Sequence, residues 1–205
     1  MKGWFSKNKK GMIAVVFIAF IAVMIVYSSM TRKSTPNTNT PDSNADGSRV
    51  ILETSMGNIT IELYDDMPIT SGNFRNLVEG SVYDGTVFHR VAYGFVIQGG
   101  DATSKGITVP TIQDELPNKY SNIRGSVAMA KTSAPNSATS QFFINLNNTN
   151  AAQLDSNYSV FGTVVAGMDV VDDIGGVPII PTDPQNPNDG KPEQNVTLMK
   201  AEFVT

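Results

Sequence analysis

The sequence predicts a mainly-β domain, an antiparallel barrel with two short helices, and three observations carry that reading. Short runs of alternating apolar residues recur from Arg49 to the C-terminus, bounded by Gly, Pro, Asn or Asp. Only two stretches, Asp66 to Gly80 and Met168 to Ile174, change to helical spacing. No strand–helix–strand rhythm of the kind that builds a parallel sheet runs through the chain. Ahead of this domain stand an apolar run and a polar tether. The expected organisation is therefore a basic tail (1–10), a transmembrane helix (11–31), a disordered linker (32–48) and the barrel domain (49–205).

Lys2, Lys7, Lys9 and Lys10 precede Gly11 to Thr31, an uncharged run whose centre is IAVVFIAFIAVMIV. Roughly 20 such residues cross a bilayer core. The bases before the run outnumber Arg32 and Lys33 after it, so the N-terminus is expected in the cytoplasm and the domain on the outer face of the cell membrane. The alternative is a signal peptide cleaved near Val26-Tyr27-Ser28, leaving a secreted protein. The apolar core is long for an h-region of roughly 7 to 15 residues, which favours the anchor. From Arg32 to Ser48 the chain is, apart from Arg32, Lys33 and Gly47, made of Ser, Thr, Asn, Pro and Asp with Ala45 as its one aliphatic residue, a flexible tether with an r.m.s. span of about 20 to 25 Å.

Val50–Thr54 and Ile59–Leu63 read as a hairpin through Ser55-Met56-Gly57-Asn58. In the first helix Pro68 lies early, Phe74, Leu77 and Val78 form an apolar stripe, and Gly80 is the stop. Val87 to Asp101, VFHRVAYGFVIQGGD, reads as two strands joined by a kink at Ala92-Tyr93-Gly94. Gly125–Lys131 and Gln141–Asn145 are strands on either side of a turn-rich segment with Pro135-Asn136. Asn147–Asn157 reads as loop, Tyr158–Val165 as strand, Met168–Ile174 as helix, the proline-rich Pro178–Pro192 as surface loop, and Val196–Val204 as the last strand. Met56, Phe74, Phe142 and Ile144 are expected in the core.

Composition excludes several functions. After residue 33 nine bases face nineteen acids, so the domain should not hold a nucleic-acid backbone. With no cysteine there is no disulfide, thiolate nucleophile or Cys-ligated metal, and a single histidine, His89, cannot make a histidine-rich metal cluster. No cofactor is implied.

Chemistry concentrates in Val87 to Asp101. Period two puts Phe88 with Arg90 on one face, and Val96 with Gln98 on one face, while His89 falls opposite as a packed, hydrogen-bonded histidine. Strict alternation separates Phe95 from Gln98 unless Gly94 bends the chain. A guanidinium and a carboxamide beside an apolar surface suit a small apolar ring attached to an amide, and proline is such a group.

Phe88-His89-Arg90, Gly94-Phe95 and Gln98-Gly99-Gly100-Asp101, followed by Val127-Ala128-Met129-Ala130, Pro135-Asn136 and Ser140-Gln141-Phe142-Phe143, resemble the motifs of the cyclophilin family of peptidyl-prolyl isomerases. The resemblance covers about Arg49 to Thr205 and implies a closed eight-stranded antiparallel barrel with a helix over each end. It implies Arg90 as the catalytic residue and Phe95, Val96, Met129, Phe143 and Leu154 as the proline pocket. Gln98 would hold the carbonyl before the proline, backbone groups of Ala130 and Lys131 would pair with the substrate main chain, Gln141 would support the floor, and Tyr158 would add an aromatic wall. The partners would be proline-containing polypeptides, met by a monomeric catalytic domain.

Three positions depart from the best-known members: Gln153 stands where many have Trp, Tyr158 where many have His, and Lys131 where Asn is frequent. Because the family's Trp contacts cyclosporin rather than the reacting bond, weak cyclosporin sensitivity with catalysis retained is expected. A non-catalytic proline-binding module or chaperone is the alternative function, and Arg90 argues for the enzyme.

Overall fold

The computed structural model describes residues 48–204; the tail, the apolar run and nearly all of the tether lie outside the described residues. Among the described residues no helix is long and apolar enough to cross a membrane.

Strands β1 (Arg49–Thr54) and β2 (Gly57–Leu63) form the first hairpin, with Val50 opposite Ile61 and Leu52 opposite Ile59. Alternation decides their fate: those four side chains are fully buried, whereas Ile51, Glu53, Thr60 and Glu62 between them are not. Met56 sits in the turn, where alternation stops, and at 38% exposure it is not the core residue expected. Helix α1 (Pro68–Glu79) begins with Pro68 and has no cap from its own N-terminal residue; instead Glu115, from a distant loop, accepts from the amides of Ile69 and Thr70 at 3.1 and 2.7 Å.

The remaining strands are β3 (Thr86–Ala92), β4 (Val96–Gly99), β5 (Ser126–Met129), β6 (Phe142–Asn145), β7 (Val160–Ala166), β8 (Ile179–Asp183), β9 (Asn186–Pro192) and β10 (Val196–Phe203). The segment read as loop after Asn147 contains a 3₁₀ turn and a one-turn helix, α2 (Ala151–Leu154); helix α3 (Met168–Gly175) follows β7. Eight strands pair in the order β10-β1-β2-β7-β5-β6-β4-β3, and a β10–β3 pairing closes the ring, antiparallel throughout. Helix α1 follows the end of β2, whereas α3 reaches its start, where Val170 packs on Gly57. The two therefore plug opposite ends, and Phe74, Leu77, Val171 and Ile174 all join the interior cluster.

Phe74 anchors that interior, its ring centroid 4.9 Å from Tyr83, 5.0 Å from Phe161 and 5.5 Å from Phe142. Gly100 is required here: its φ is +76°, and a Cβ would meet Phe142 and Tyr83 at 2.8 Å.

Pro178–Pro192 is not a loop. Ile179–Asp183 and Asn186–Pro192 pair as a hairpin outside the ring, joined to β3 through Val91↔Gly190 and Ala92↔Asp189. Pro181 is tolerated because β8 is the edge of the sheet and its register shifts between Pro181 and Asp183, and Pro187 and Pro192 of β9 lie outside the two positions, Asp189 and Gly190, that pair with β3. Strand β3 thus closes the barrel with its first half and carries the hairpin with its second.

Candidate active site

The ladder between β3 and β4 pairs Phe88 with Gly99 and Arg90 with Gln98, leaving His89 as an extra residue in a β-bulge. The bulge reverses the facing of the strand. Phe88 and Val91 both point into the barrel, and Arg90 and Ala92 point out, so the expected sharing of a face by Phe88 and Arg90 is corrected. From Arg90 the register runs across the outer face through Gln98, Phe143, Ala128 and Val160, one residue from each of five neighbouring strands. Side chains with one period thus come together from positions 70 residues apart in sequence.

Around this row lies a second, smaller apolar cluster of Ala92, Val96, Ala128, Ala130, Phe143, Leu154 and Val160, with Phe95 and Tyr158 packed against it. It opens into a cavity of about 270 Å³ lined by Arg90, Phe95, Val96, Gln98, Ala130, Lys131, Phe143, Leu154 and Tyr158. Phe95 joins Gln98 on this face because it lies in the turn before β4, where Gly94 has φ +64°. Phe143 and Tyr158 meet edge to face, centroids 5.5 Å apart.

One expected pocket residue is elsewhere. Met129 is 2% exposed and belongs to the barrel interior, because alternation along β5 gives the outer face to Ala128 and Ala130. Gln141 lines an adjoining cavity of about 160 Å³ with Gln98, Ala130, Lys131, Thr132, Ser137 and Thr139. The Ala130 amide is also committed, donating to the Gln141 carbonyl at 2.8 Å, which leaves its carbonyl for a partner.

The polar groups form a chain. Arg90 donates from Nε and Nη2 to the two carboxylate oxygens of Asp189, at 2.8 and 2.6 Å, and from Nη1 to Gln98 Oε1 at 3.1 Å. Gln98 Nε2 donates to Gln141 Oε1 at 2.9 Å. A guanidinium has five N–H donors, so two remain uncommitted. The Lys131 ammonium is paired with Asp114 at 3.1 Å, with side-chain exposures of 9% and 12%. Asp114 also accepts from the amide of Asn136 and donates its own amide to the Asn136 side chain, fixing two loops beside the cavity.

His89 is half-buried, with the Val87 backbone and the Gln141 side chain as hydrogen-bonding neighbours, as expected of a packed ring, while its Nδ1 has no partner. Burial pushes its pKa below the usual 6.5, opposed by the charge of Asp101. Burial raises Asp101, but hydrogen bonds from Thr103 outweigh it and hold the carboxyl below its ordinary value.

Behind the cavity three buried asparagines connect its two aromatic walls. Asn150 Nδ2 donates to the Phe95 carbonyl at 2.7 Å and to Asn145 Oδ1 at 2.8 Å; Asn145 Nδ2 donates to Asn122 Oδ1 at 3.2 Å; Asn122 Nδ2 donates to the Tyr158 carbonyl at 3.3 Å. Asp155 steadies Asn122 by accepting from its amide and its side chain at 2.6 and 3.0 Å. Neither these asparagines nor Asp114 and Asp189 were singled out from sequence. Arg90 and Asp189 lie 99 residues apart, and no local spacing signals that pairing.

Arg90, a partly apolar cavity and the Gln98 carboxamide thus stand side by side on the outer face of the barrel. A family model described as cyclophilin type peptidyl-prolyl cis-trans isomerase/CLD matches residues 49–203. A peptidyl-prolyl cis-trans isomerase of Acinetobacter baylyi is 44% identical over 161 residues, 75% of this chain and 84% of that protein. Peptidyl-prolyl cis-trans isomerase B of Escherichia coli is 44% identical over 138 residues, 62% of this chain and 84% of that protein. Among solved structures, a cyclophilin type peptidyl-prolyl cis-trans isomerase of Cryptosporidium parvum superposes with a TM-score of 0.67 at 27% identity, covering 77% of this chain and 98% of that one.

Proposed function

Because this chain belongs to the cyclophilin-type peptidyl-prolyl cis-trans isomerases and is an isomerase of X-Pro bonds in polypeptides, we propose that Arg90 is the group that lowers the rotation barrier. That barrier is about 18 to 20 kcal/mol and comes from amide resonance: the prolyl nitrogen lends its lone pair to the carbonyl. Twisting the bond returns the pair to nitrogen. A donor aimed at that nitrogen binds the twisted state better than either planar isomer, which is the condition for catalysis. No covalent bond breaks, so the reaction needs no nucleophile.

One observation carries the assignment. Arg90 stands at the rim of an apolar cavity, its guanidinium held by Asp189 and Gln98, with two N–H groups still free to donate. Val96, Phe143 and Leu154 offer the proline ring an apolar seat, and Phe95 and Tyr158 offer it walls. Gln98 keeps one hydrogen of Nε2 for the carbonyl before the proline, and the Ala130 carbonyl and the Lys131 backbone serve the substrate main chain. Gln141 acts one step back, by orienting Gln98. The test is Arg90→Ala in an NMR exchange assay of an X-Pro peptide. Acceleration should fall by roughly a hundred- to thousandfold, the scale for losing one pre-set donor, while the peptide still binds. A variant as active as the parent excludes Arg90 from this role.

We further propose that the enzyme is held on the outer face of the cell membrane and serves proteins folding there. The uncharged run Gly11 to Thr31 and the lysines before it support this reading. Extraction of the full chain with membranes by detergent but not by alkali, and digestion of its domain by protease added to intact cells, would test it. A chain found in the soluble fraction or the culture medium would refute it. The catalytic domain is monomeric in this reading: the barrel has no open edge, and the hairpin's edge strand carries Pro181, which blunts pairing. Sedimentation of the domain as a dimer would contradict it.

A further inference from the structure

Asp189 stands on β9, in the hairpin that the closed ring does not need, and its carboxylate holds the Nε side of Arg90 with both oxygens. The side chains are 35% and 20% exposed, so the pair is only partly screened by solvent. What it supplies is geometry. An arginine side chain spreads over many rotamers, and a planar fork gripped on one edge has few. With Nε and Nη2 bound by Asp189 and Nη1 bound by Gln98, the plane of the guanidinium is fixed.

We propose that Asp189 is a positioning residue for the isomerisation: the appended hairpin aims the two uncommitted N–H groups of Arg90 at the prolyl nitrogen. The inference rests on the reading of Arg90 as donor to that nitrogen. Two effects of the carboxylate oppose each other, since it orients the cation and also subtracts from its field. Orientation dominates. A misplacement of about 1 Å costs about a hundredfold in rate, and the carboxylate, 20% exposed and so partly screened, takes away only part of the cation's field.

The experiment compares Arg90→Ala, Asp189→Ala, Asp189→Asn, Asp183→Asn and the double variant Arg90→Ala/Asp189→Ala in the full chain, by NMR exchange at several peptide concentrations. Asp183 is the control for the hairpin itself: its Oδ1 accepts from the Gln185 amide at 2.8 Å in the turn and touches nothing in the site. Asp189→Ala should lower kcat about ten- to hundredfold. Its KM should stay within about twofold, because the loss falls on the transition state. Asp189→Asn, which keeps one acceptor, should recover part of the loss. Asp183→Asn should leave the rate unchanged, and Arg90→Ala/Asp189→Ala should be no slower than Arg90→Ala alone. If Arg90→Ala collapses the rate while Asp189→Ala equals or exceeds the parent, the positioning role fails and the Arg90 reading stands. If Asp183→Asn reproduces the loss, Asp189 acts only through hairpin folding and the proposal is overturned. If Arg90→Ala keeps the parent rate, both readings fall together.

Discussion

Phe142 and Phe143 are adjacent on one strand, and they live in different regions of the molecule. Phe142 is fully buried in the barrel interior, among Phe74, Tyr83 and Phe88; Phe143 looks outward, into the cavity beside Tyr158. The interior is apolar, closed by helices at both ends and filled by aromatic rings. The outer patch uses the alternate residues of the same strands, yet mixes apolar side chains with a guanidinium and two carboxamides. Stability and function are thus separated by the pleat of the sheet rather than by distance.

Substitutions at the two phenylalanines test this separation most severely. Phe142→Ala should cost about 3 to 5 kcal/mol, a large share of the stability of a small domain, measured by denaturant unfolding. Phe143→Ala should cost less than its neighbour in the same assay but raise KM about tenfold by removing the apolar seat. Equal losses of stability at both positions would abolish the distinction. Asn145→Ala strikes the seam between the regions. It strands buried partners on Asn122 and Asn150 and should cost about 1 to 3 kcal/mol, with chemical-shift changes at both Phe95 and Tyr158.

Smaller effects sharpen the outer region. With Gln153 where a Trp is frequent, the enzyme should resist low-nanomolar cyclosporin, and Gln153→Trp should tighten cyclosporin binding about tenfold or more, as large aromatic anchors do. Titration calorimetry decides it; parent inhibition at low nanomolar drug would refute the assignment. The smallest effect is acid sensitivity from His89. Burial lowers its folded pKa below 6.5, so the unfolded chain takes up the proton first, and stability falls as pH drops through 6.5 towards the folded value. His89→Gln should flatten the Tm profile between about pH 7 and pH 5, and an unchanged slope would assign the effect to other groups.

Much of this was legible in the chain. Alternation in β1 and β2 and the helical stripe of Phe74, Leu77 and Val78 predicted the interior, and nine of the named residues do line one cavity. What stayed hidden depended on breaks in the period. The bulge at His89 reversed the facing of Arg90 relative to Phe88, and the turn at Gly94 let Phe95 join Gln98, as the sequence allowed. Met129 was assigned to the pocket by motif, although the alternation of β5 gives that face to its alanine neighbours. The hairpin was missed because proline content reads as loop unless the strand is known to be an edge. Asp189 was missed with it.

The three asparagines behind the socket bind its opposite walls into one frame. A ligand that pushes the main chain at Tyr158 outward must also tug on the main chain at Phe95, so the frame of the opening resists widening from either side. Selectivity among substrates should therefore follow how well a whole residue fits the unyielding aperture, and a drug would gain more from matching its outline than from forcing it.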